Sequence, residues 1–327
     1  MYPLELIQSV RLITDVCLEI APGENVLCIT DSEDKMDVIT LIAAECKRRG
    51  AETAVVLLEP RKEHYHEPPR PVALAMRDAD VVITMAYGEL MHTRARKEAC
   101  AAGVKYAAVG GITKEYLVRL NLTPEDLYEV RALTERIAQR LTEASTARLT
   151  TRAGTDLTMS LKGRKGITLL PFGEKGTFCM VPAYAEAPCP PIEDSVEGVA
   201  VIDGTMVGAP EFEGLVEEPF KVSFEKGRIV KISEGKDARR LKNLLDTLED
   251  QARTFAELGV NSNHKIPRRF LGTRTDNAIA GHVHIGLGRN DHIGGKSTAD
   301  AHLDLLMKWA TLLLDGKPIL EDGVLRI

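Results

Sequence analysis

The chain has 327 residues, 44% of them apolar and 28% charged, with a formal net charge of −6. That length is ample for two domains with their own cores. The acidic balance argues against nucleic acid as a partner, and no apolar run is long enough to cross a bilayer.

Glu5, Arg11, Asp15 and Glu19 interrupt the apolar residues at the start, which is not the pattern of a secretory signal, so a cytoplasmic protein is expected. The same stretch has helical spacing over residues 3–20, ended by Pro22-Gly23. Short apolar runs follow at 25–30, 53–58, 80–85 and 105–109 and read as buried strands. Helical segments are expected at 33–49, 71–78, 92–101 and 113–120. Strands alternating with helices predict a parallel sheet. The loops at its strand ends hold no GxGxxG or phosphate-loop pattern, so a nucleotide is not expected. His64, Tyr65 and His66 fall in one of these loops, among prolines and charges.

A long amphipathic helix over 124–145, capped by Thr123, reads as the bridge to a second domain. Beyond it the pattern changes to hairpins, one turning at Ala153-Gly154 and one at Lys226-Gly227, with a strand at 198–203 between them. An amphipathic helix over 237–258 would deliver Glu257 at its C-terminal end. The expected fold class is α/β. Residues 1–146 would form a Rossmann-like parallel α/β domain with the bridging helix, and 147–327 a mixed α+β domain. The six cysteines show no CxxC pair, and free buried thiols are expected.

Chemistry-bearing residues concentrate late in the chain. Five of the eight histidines lie between positions 264 and 302, in a glycine-rich stretch with Glu257 and Asp304 at its ends. Imidazole and carboxylate are the common protein ligands of zinc, iron, cobalt and manganese. Gly281-His-Val-His284-Ile-Gly286 alternates as a strand does, so His282 and His284 would share one face. His302 and Asp304 are also two apart and would reach one point if extended.

These residues resemble a known family. Glu257-Leu-Gly-Val-Asn261 is similar to the Glu-x-Gly-x-Gly-x-Asn element of the aminopeptidase T / aminopeptidase S metallopeptidases. Ala280-Gly-His-Val-His284-Ile-Gly-Leu-Gly288 resembles their Gly-Thr-x-His-x-Ala-x-Gly strand. Gly294-Gly-Lys-Ser-Thr-Ala-Asp-Ala-His302-Leu-Asp304 resembles their closing Gly-Gly-Lys…His-x-Asp motif, and Glu193-Asp-Ser-Val-Glu-Gly198 their Glu-Asp-Ser-x-x-Gly segment. The resemblance implies a metal site of Glu257, His284, His302 and Asp304, with two zinc, cobalt or manganese ions activating water to cleave an N-terminal peptide bond. Glu257 would be catalytic as well as a ligand, and Glu186 a bridging ligand or general base. His282 and His292 are candidate outer donors to those ligands. Two departures stand out. Glu186 is displaced by one residue from the family's glutamate and lacks its glycine, and Arg289-Asn-Asp-His292 stands where the family has a tyrosine.

The 2,5-dihydroxypyridine 5,6-dioxygenases resemble this chain through the same Gly-Gly-Lys…His-Leu-Asp ending, and imply one Fe(II) that opens a ring. Their position matching Glu257 is histidine, and the one matching His284 is not a ligand type. Those two positions side with the peptidases; the length sides with the dioxygenases. The leading expectation is therefore a metal-dependent, aminopeptidase-type hydrolase acting on a small peptide or other small molecule, and a homodimer as its relatives are. An iron dioxygenase is the alternative, and a non-catalytic binding protein on the same fold a third reading.

Overall fold

The structure, a computed structural model, describes residues 4–60, 66–86, 90–110, 112–209 and 212–327. His64 and Tyr65 of the proline-flanked loop lie outside the described residues, and His66 is exposed. The chain divides into two compact units, Met1–Tyr128 with Leu170–Tyr184, and Glu129–Leu169 with Ala185–Ile327.

The first unit is built on a five-stranded parallel sheet. Its strand order is Glu52–Leu57, Asn25–Thr30, Val81–Met85, Lys105–Ala108 and Phe178–Met180. The helices Glu33–Arg48, Arg70–Asp78, Arg94–Ala101 and Lys114–Leu120 occur in its connections, as the alternating pattern predicts. Val81–Met85 is buried throughout, which is why it reads as an unbroken apolar run. The fifth strand has no counterpart in the sequence reading. It is three residues long, too short to show a period, and it returns to the sheet after an excursion of some length. That return, and a division that falls within the helix Pro124–Glu143, distinguish the observed units from a single break at 146. Thr123 and Asp126 cap that helix reciprocally, each side chain bonding the other's backbone N–H.

The second unit contains an eight-stranded and a six-stranded sheet, both antiparallel. Its hairpin Phe220–Glu225 to Arg228–Ile232 turns through Lys226 and Gly227 with φ of +47° and +70°. Two consecutive positive φ values suit the right-handed twist of the strands they join. In the six-stranded sheet the order is Gly214–Leu215, Thr205–Val207, His302–Met307, Val283–Gly288, Phe255–Asn261 and Glu186–Cys189.

Alternation divides the two faces of the three central strands. Leu258, Val260, Val283, Ile285, Leu287, Leu303 and Leu305 are fully buried in one core with Leu149, Leu157, Ala200, Ile202, Val222 and Leu312 of the eight-stranded sheet. Phe224 and Phe255 meet edge to face in it, ring centres 5.3 Å apart. Glu257, His284, His302 and Asp304 occupy the intervening positions and face the other way.

Glu257 does not end a helix. The helix stops at Thr247, a 3₁₀ turn covers Asp250–Arg253, and Glu257 sits inside the strand Phe255–Asn261. Helical spacing and the strand's alternation run together here because the register shifts between Phe255 and Glu257. This bulge inserts Ala256, so that Phe255 points into the core and Glu257 to the opposite face. Asn290 holds the bulge by donating from Nδ2 to the Ala256 carbonyl at 3.0 Å.

Ile285 tests the packing that orients this sheet. It is fully buried between His284 and Gly286 in sequence, on the apolar face. Ile285→Ala is expected to cost about 2–5 kcal/mol, measured as a lower urea midpoint at unchanged denaturant slope.

Candidate metal centre

Five side chains converge on the polar face of the six-stranded sheet. Glu257 reaches in two directions. Its Oε1 lies 3.2 Å from His284 Nε2, and its Oε2 3.4 Å from His302 Nε2. Glu186 Oε2 stands 3.3 Å from the same His284 nitrogen. Asp304 Oδ1 stands 3.0 Å from His302 Nε2. Two pairs, Glu186 with His284 and His302 with Asp304, therefore share one glutamate. Glu186, Glu257, His284 and Asp304 are 1–3% exposed.

Neighbouring strands explain the convergence. Gly259 is opposite His284, and Gly286 opposite Asp304. His302 and Asp304 lie in the strand His302–Met307, so the extended alternative for this pair is the observed one. Glu186 begins the edge strand Glu186–Cys189 and pairs with Asn261, which brings it beside His284 despite its displaced position in the motif. The glycines supply room. A Cβ at Gly259 would overlap the His284 ring, and one at Gly286 would lie 2.7 Å from Glu257 Cβ and 2.9 Å from His302 Cε1.

Both imidazoles are held by their far nitrogens. His284 Nδ1 donates to Asn261 Oδ1 at 2.8 Å, and His302 Nδ1 to the Arg289 carbonyl at 2.7 Å. Each Nε2 is thereby directed to the cluster in the tautomer a metal requires. Asp304 is held from behind. Asn277 Nδ2 donates to its Oδ2 at 2.9 Å, and Arg274 Nη1 is 3.7 Å from that oxygen.

The electrostatics are those of closely packed opposite charges. Burial lowers the His284 pKa, but Glu186, Glu257 and Asp304 outweigh it and raise the group to about 9. His302 is likewise raised to about 9 against burial, chiefly by Asp304 and then Glu257. Burial opposes ionisation of Glu257, yet the two imidazoles hold its carboxyl below the usual range. Asp304 is held well below it, against burial, by His302, His284 and Arg274.

The residues fit a divalent cation. Three carboxylates are buried together, and one guanidinium and two imidazoles match their charge only while both imidazoles carry an extra proton, which a cation would replace. Asp304 Oδ1 is buried and receives no well-directed hydrogen bond, although His302 Nε2 is 3.0 Å away. The imidazole and the carboxylate lie side by side, as two ligands of one ion do. Ligand atoms of Glu186, Glu257 and His284 all fall within 4.8 Å of one another, as do those of Glu257, His292 and His302.

The other histidines divide. His292, on the 3₁₀ turn Asp291–Ile293, packs edge to face on His302 with ring centres 5.2 Å apart. Burial and the neighbouring His302 lower it to about 4, so it is neutral and available as a donor of its lone pair. It stands in the stretch where the resembled peptidases carry tyrosine. His282 takes another position. Its ring packs between Phe270 and Trp309, its Nδ1 accepts from the Trp309 N–H at 3.1 Å, and it belongs to neither ligand group. His282 precedes the strand Val283–Gly288, so the shared face expected for it and His284 does not bring both to one point. Burial, with Arg268 and Lys308, lowers it to about 4. His264 is exposed beside Glu129.

The remaining motif residues brace the site. Asn290, which holds the Ala256 bulge, also accepts from the Ser297 N–H at 2.7 Å. A Cβ at Gly295 would overlap the Asn290 carboxamide, which explains the glycine pair before Lys296. Glu193 accepts from the Lys296 N–H at 2.9 Å, tying the Glu-Asp-Ser segment to the same loop. Asn277 and Arg274 had no signal in the sequence, since no motif or spacing marks them. Asn261 lies inside the Glu257-Leu-Gly-Val-Asn261 motif and was legible only as part of it.

Two outcomes follow for chelator-treated protein. His284 and His302 are raised above an ordinary histidine pKa of about 6.5. Their stabilisation is therefore fully present below about 6.5 and lost as pH rises through about 9. Thermal melts are expected to fall across that window without metal and to flatten when zinc is restored, since the ion takes the place of the protons. Gly259→Ala, which pushes the His284 ring aside, is expected to weaken metal uptake by about 10-fold or more in a cobalt titration.

Comparison with known proteins identifies the fold and the family. The solved structure of 2,5-dihydroxypyridine dioxygenase from Pseudomonas putida KT2440 superposes with a TM-score of 0.78 at 17% identity, covering 98% of this chain and 96% of that one. Wild-type AmpT from Thermus thermophilus superposes with a TM-score of 0.73 at 19% identity, covering 99% of each chain. These likenesses establish the fold. By sequence, the curated 2,5-dihydroxypyridine 5,6-dioxygenase of Pseudomonas putida is 26% identical over 142 residues, which are 41% of this chain and only 40% of that relative. No helix among the described residues is long and apolar enough to cross a membrane. The family model for 2,5-dihydroxypyridine 5,6-dioxygenase (NicX) matches residues 5–327, and the chain belongs to that family.

Proposed function

We propose that this member of the family is a metal-dependent hydrolase in which Glu257, His284, His302 and Asp304 would hold two divalent cations, and that it cleaves an N-terminal peptide or related amide bond of a small substrate. The observation that carries the reading is the two-sided Glu257 carboxylate, one oxygen 3.2 Å from His284 Nε2 and the other 3.4 Å from His302 Nε2, with Glu186 beside the first imidazole and Asp304 beside the second. One carboxylate serving two nests of donors suits a pair of ions better than one. Glu257 is within 3.2 Å of one imidazole and 3.4 Å of the other, so of the two glutamates it is the one that two cations would share.

Zinc, cobalt and manganese all suit this mixture of imidazole and carboxylate. When bound, such cations lower the pKa of water toward neutrality and polarise a scissile carbonyl. The protein's part is to hold the donors still and to manage the proton. Glu186, at the end of its strand, is the group assigned to accept a proton from water and pass it to the leaving amine. His284 and His302 are not assigned that role, because with Nδ1 held by Asn261 and by the Arg289 carbonyl the lone pair of each Nε2 is the one that would hold a cation.

A second reading is a mononuclear Fe(II) ring-cleaving dioxygenase, and the family match over residues 5–327 favours it. Glu257, His292 and His302 supply the two imidazoles and one carboxylate of that chemistry. The resemblance in sequence weighs the other way, since the dioxygenases carry a histidine at the position of Glu257 and no ligand type at that of His284.

Metal analysis of protein purified without added metal or chelator separates the two. The hydrolase predicts about two zinc, cobalt or manganese ions per chain and turnover of a free-amine dipeptide under nitrogen. One iron per chain, with oxygen consumed at each turnover of a hydroxylated pyridine, would overturn it. Glu257→Gln is expected to lose both ions, whereas His284→Ala loses one.

A further inference from the structure

One buried turn touches both halves of the cluster. The 3₁₀ segment Arg274–Ala278 lies wholly inside the second unit, with all five residues buried. Asp276 pins it. Its carboxylate accepts from Thr205 Oγ1 at 2.6 Å, from the Leu271 N–H at 2.9 Å and from the Gly272 N–H at 2.8 Å. From this anchored turn two links run out. Asn277 Nδ2 donates to Asp304 Oδ2, and the Asp276 carbonyl accepts from Asn261 Nδ2 at 3.3 Å. Asn261 then receives the His284 Nδ1–H on its Oδ1.

Asn277 is unusual for a structural asparagine. It is fully buried, its Oδ1 has no donor, and its side-chain hydrogen bond among the described residues is the one to Asp304. A carboxamide buried for stability would normally satisfy both ends. Because a carboxylate only accepts, the Asn277 group facing Asp304 must be its NH₂. That bond occupies Oδ2 and leaves Oδ1 as the oxygen turned toward His302.

We infer that Asn277 and Asn261 are positioning residues, each governing one half of the site from the same turn. Asn277 makes Asp304 a one-oxygen ligand through Oδ1, and Asn261 fixes His284 with Nε2 presented. This rests on the two-ion reading. It predicts that the halves can be weakened separately, which a general role in folding would not produce.

Cobalt(II) is the probe, added to chelator-treated full-length protein and followed by calorimetry and visible absorption. The spectra of His284→Ala and His302→Ala identify which ion remains in each case. Asn277→Ala is expected to raise the Kd of the ion at His302 and Asp304 by about 10–100-fold, leaving the other within about threefold. Asn261→Ala is expected to do the reverse. Asn277→Ser, a shorter donor, is expected to recover part of the loss. Equal weakening of both ions by either variant, or no weakening by either, overturns the inference.

Should the variants fail to fold, the wild type still decides. In protein labelled with ¹³C-aspartate, the metal-minus-chelated infrared difference is expected to show the wide carboxylate splitting of one-oxygen binding. A narrow, two-oxygen splitting overturns the inference. Two cobalt ions in the wild type with unchanged variants would refute the positioning roles alone. No ion in the wild type would refute the two-ion reading, and the positioning roles with it.

Discussion

Three carboxylates buried around the same two imidazoles are the constraint on which the second unit depends. Glu186, Glu257 and Asp304 repel, and each has given up water. Two imidazoles and one guanidinium are the compensation the chain itself supplies. Such a group persists only where the backbone leaves it no alternative. Here that backbone is four adjacent antiparallel strands whose opposite faces are locked into an apolar core. Flipping the strand at Glu257, His284, His302 or Asp304 would turn a leucine, isoleucine or valine out of that core.

Several irregular features serve this arrangement. The bulge at Ala256 changes which face Glu257 occupies, and Asn290 holds the bulge. Glycines at 259 and 286 open space for rings that ordinary side chains would fill. Backbone carbonyls and buried carboxamides fix the imidazoles and Asp304 from behind. Each is a local departure from regular strand chemistry, and such departures are expected where a site is built.

Family membership and site chemistry answer different questions. The fold is shared with structures named for a dioxygenase and for AmpT, and a common fold carries no reaction by itself. What distinguishes reactions on this sheet is which side chains occupy a few inward positions. A glutamate at 257 and a histidine at 284 form a second nest of donors beside the first, and Glu186 completes it. That is why the side chains, rather than the family name, carry the hydrolase proposal.

The sequence by itself determined a good deal. Alternating apolar runs and helical spacings located four of the five parallel strands and the two hairpins, because periodicity is a local property of the chain. The clustering of histidines with Glu257 and Asp304 located the candidate site, because residues two apart on a strand must share a face. Other features waited for the tertiary structure. Glu257 reads equally as a helix end, and only pairing with Val283–Gly288 shows the bulge that turns it inward. His282 and His284 look equivalent on paper, yet Phe270 and Trp309 claim the first. Glu186, about seventy residues upstream of Glu257, joins the cluster only through strand pairing with Asn261, and Asn277 only through a turn that no pattern announces. Contacts between segments distant in sequence depend on how strands are ordered in a sheet, and that ordering leaves no period in the chain to read.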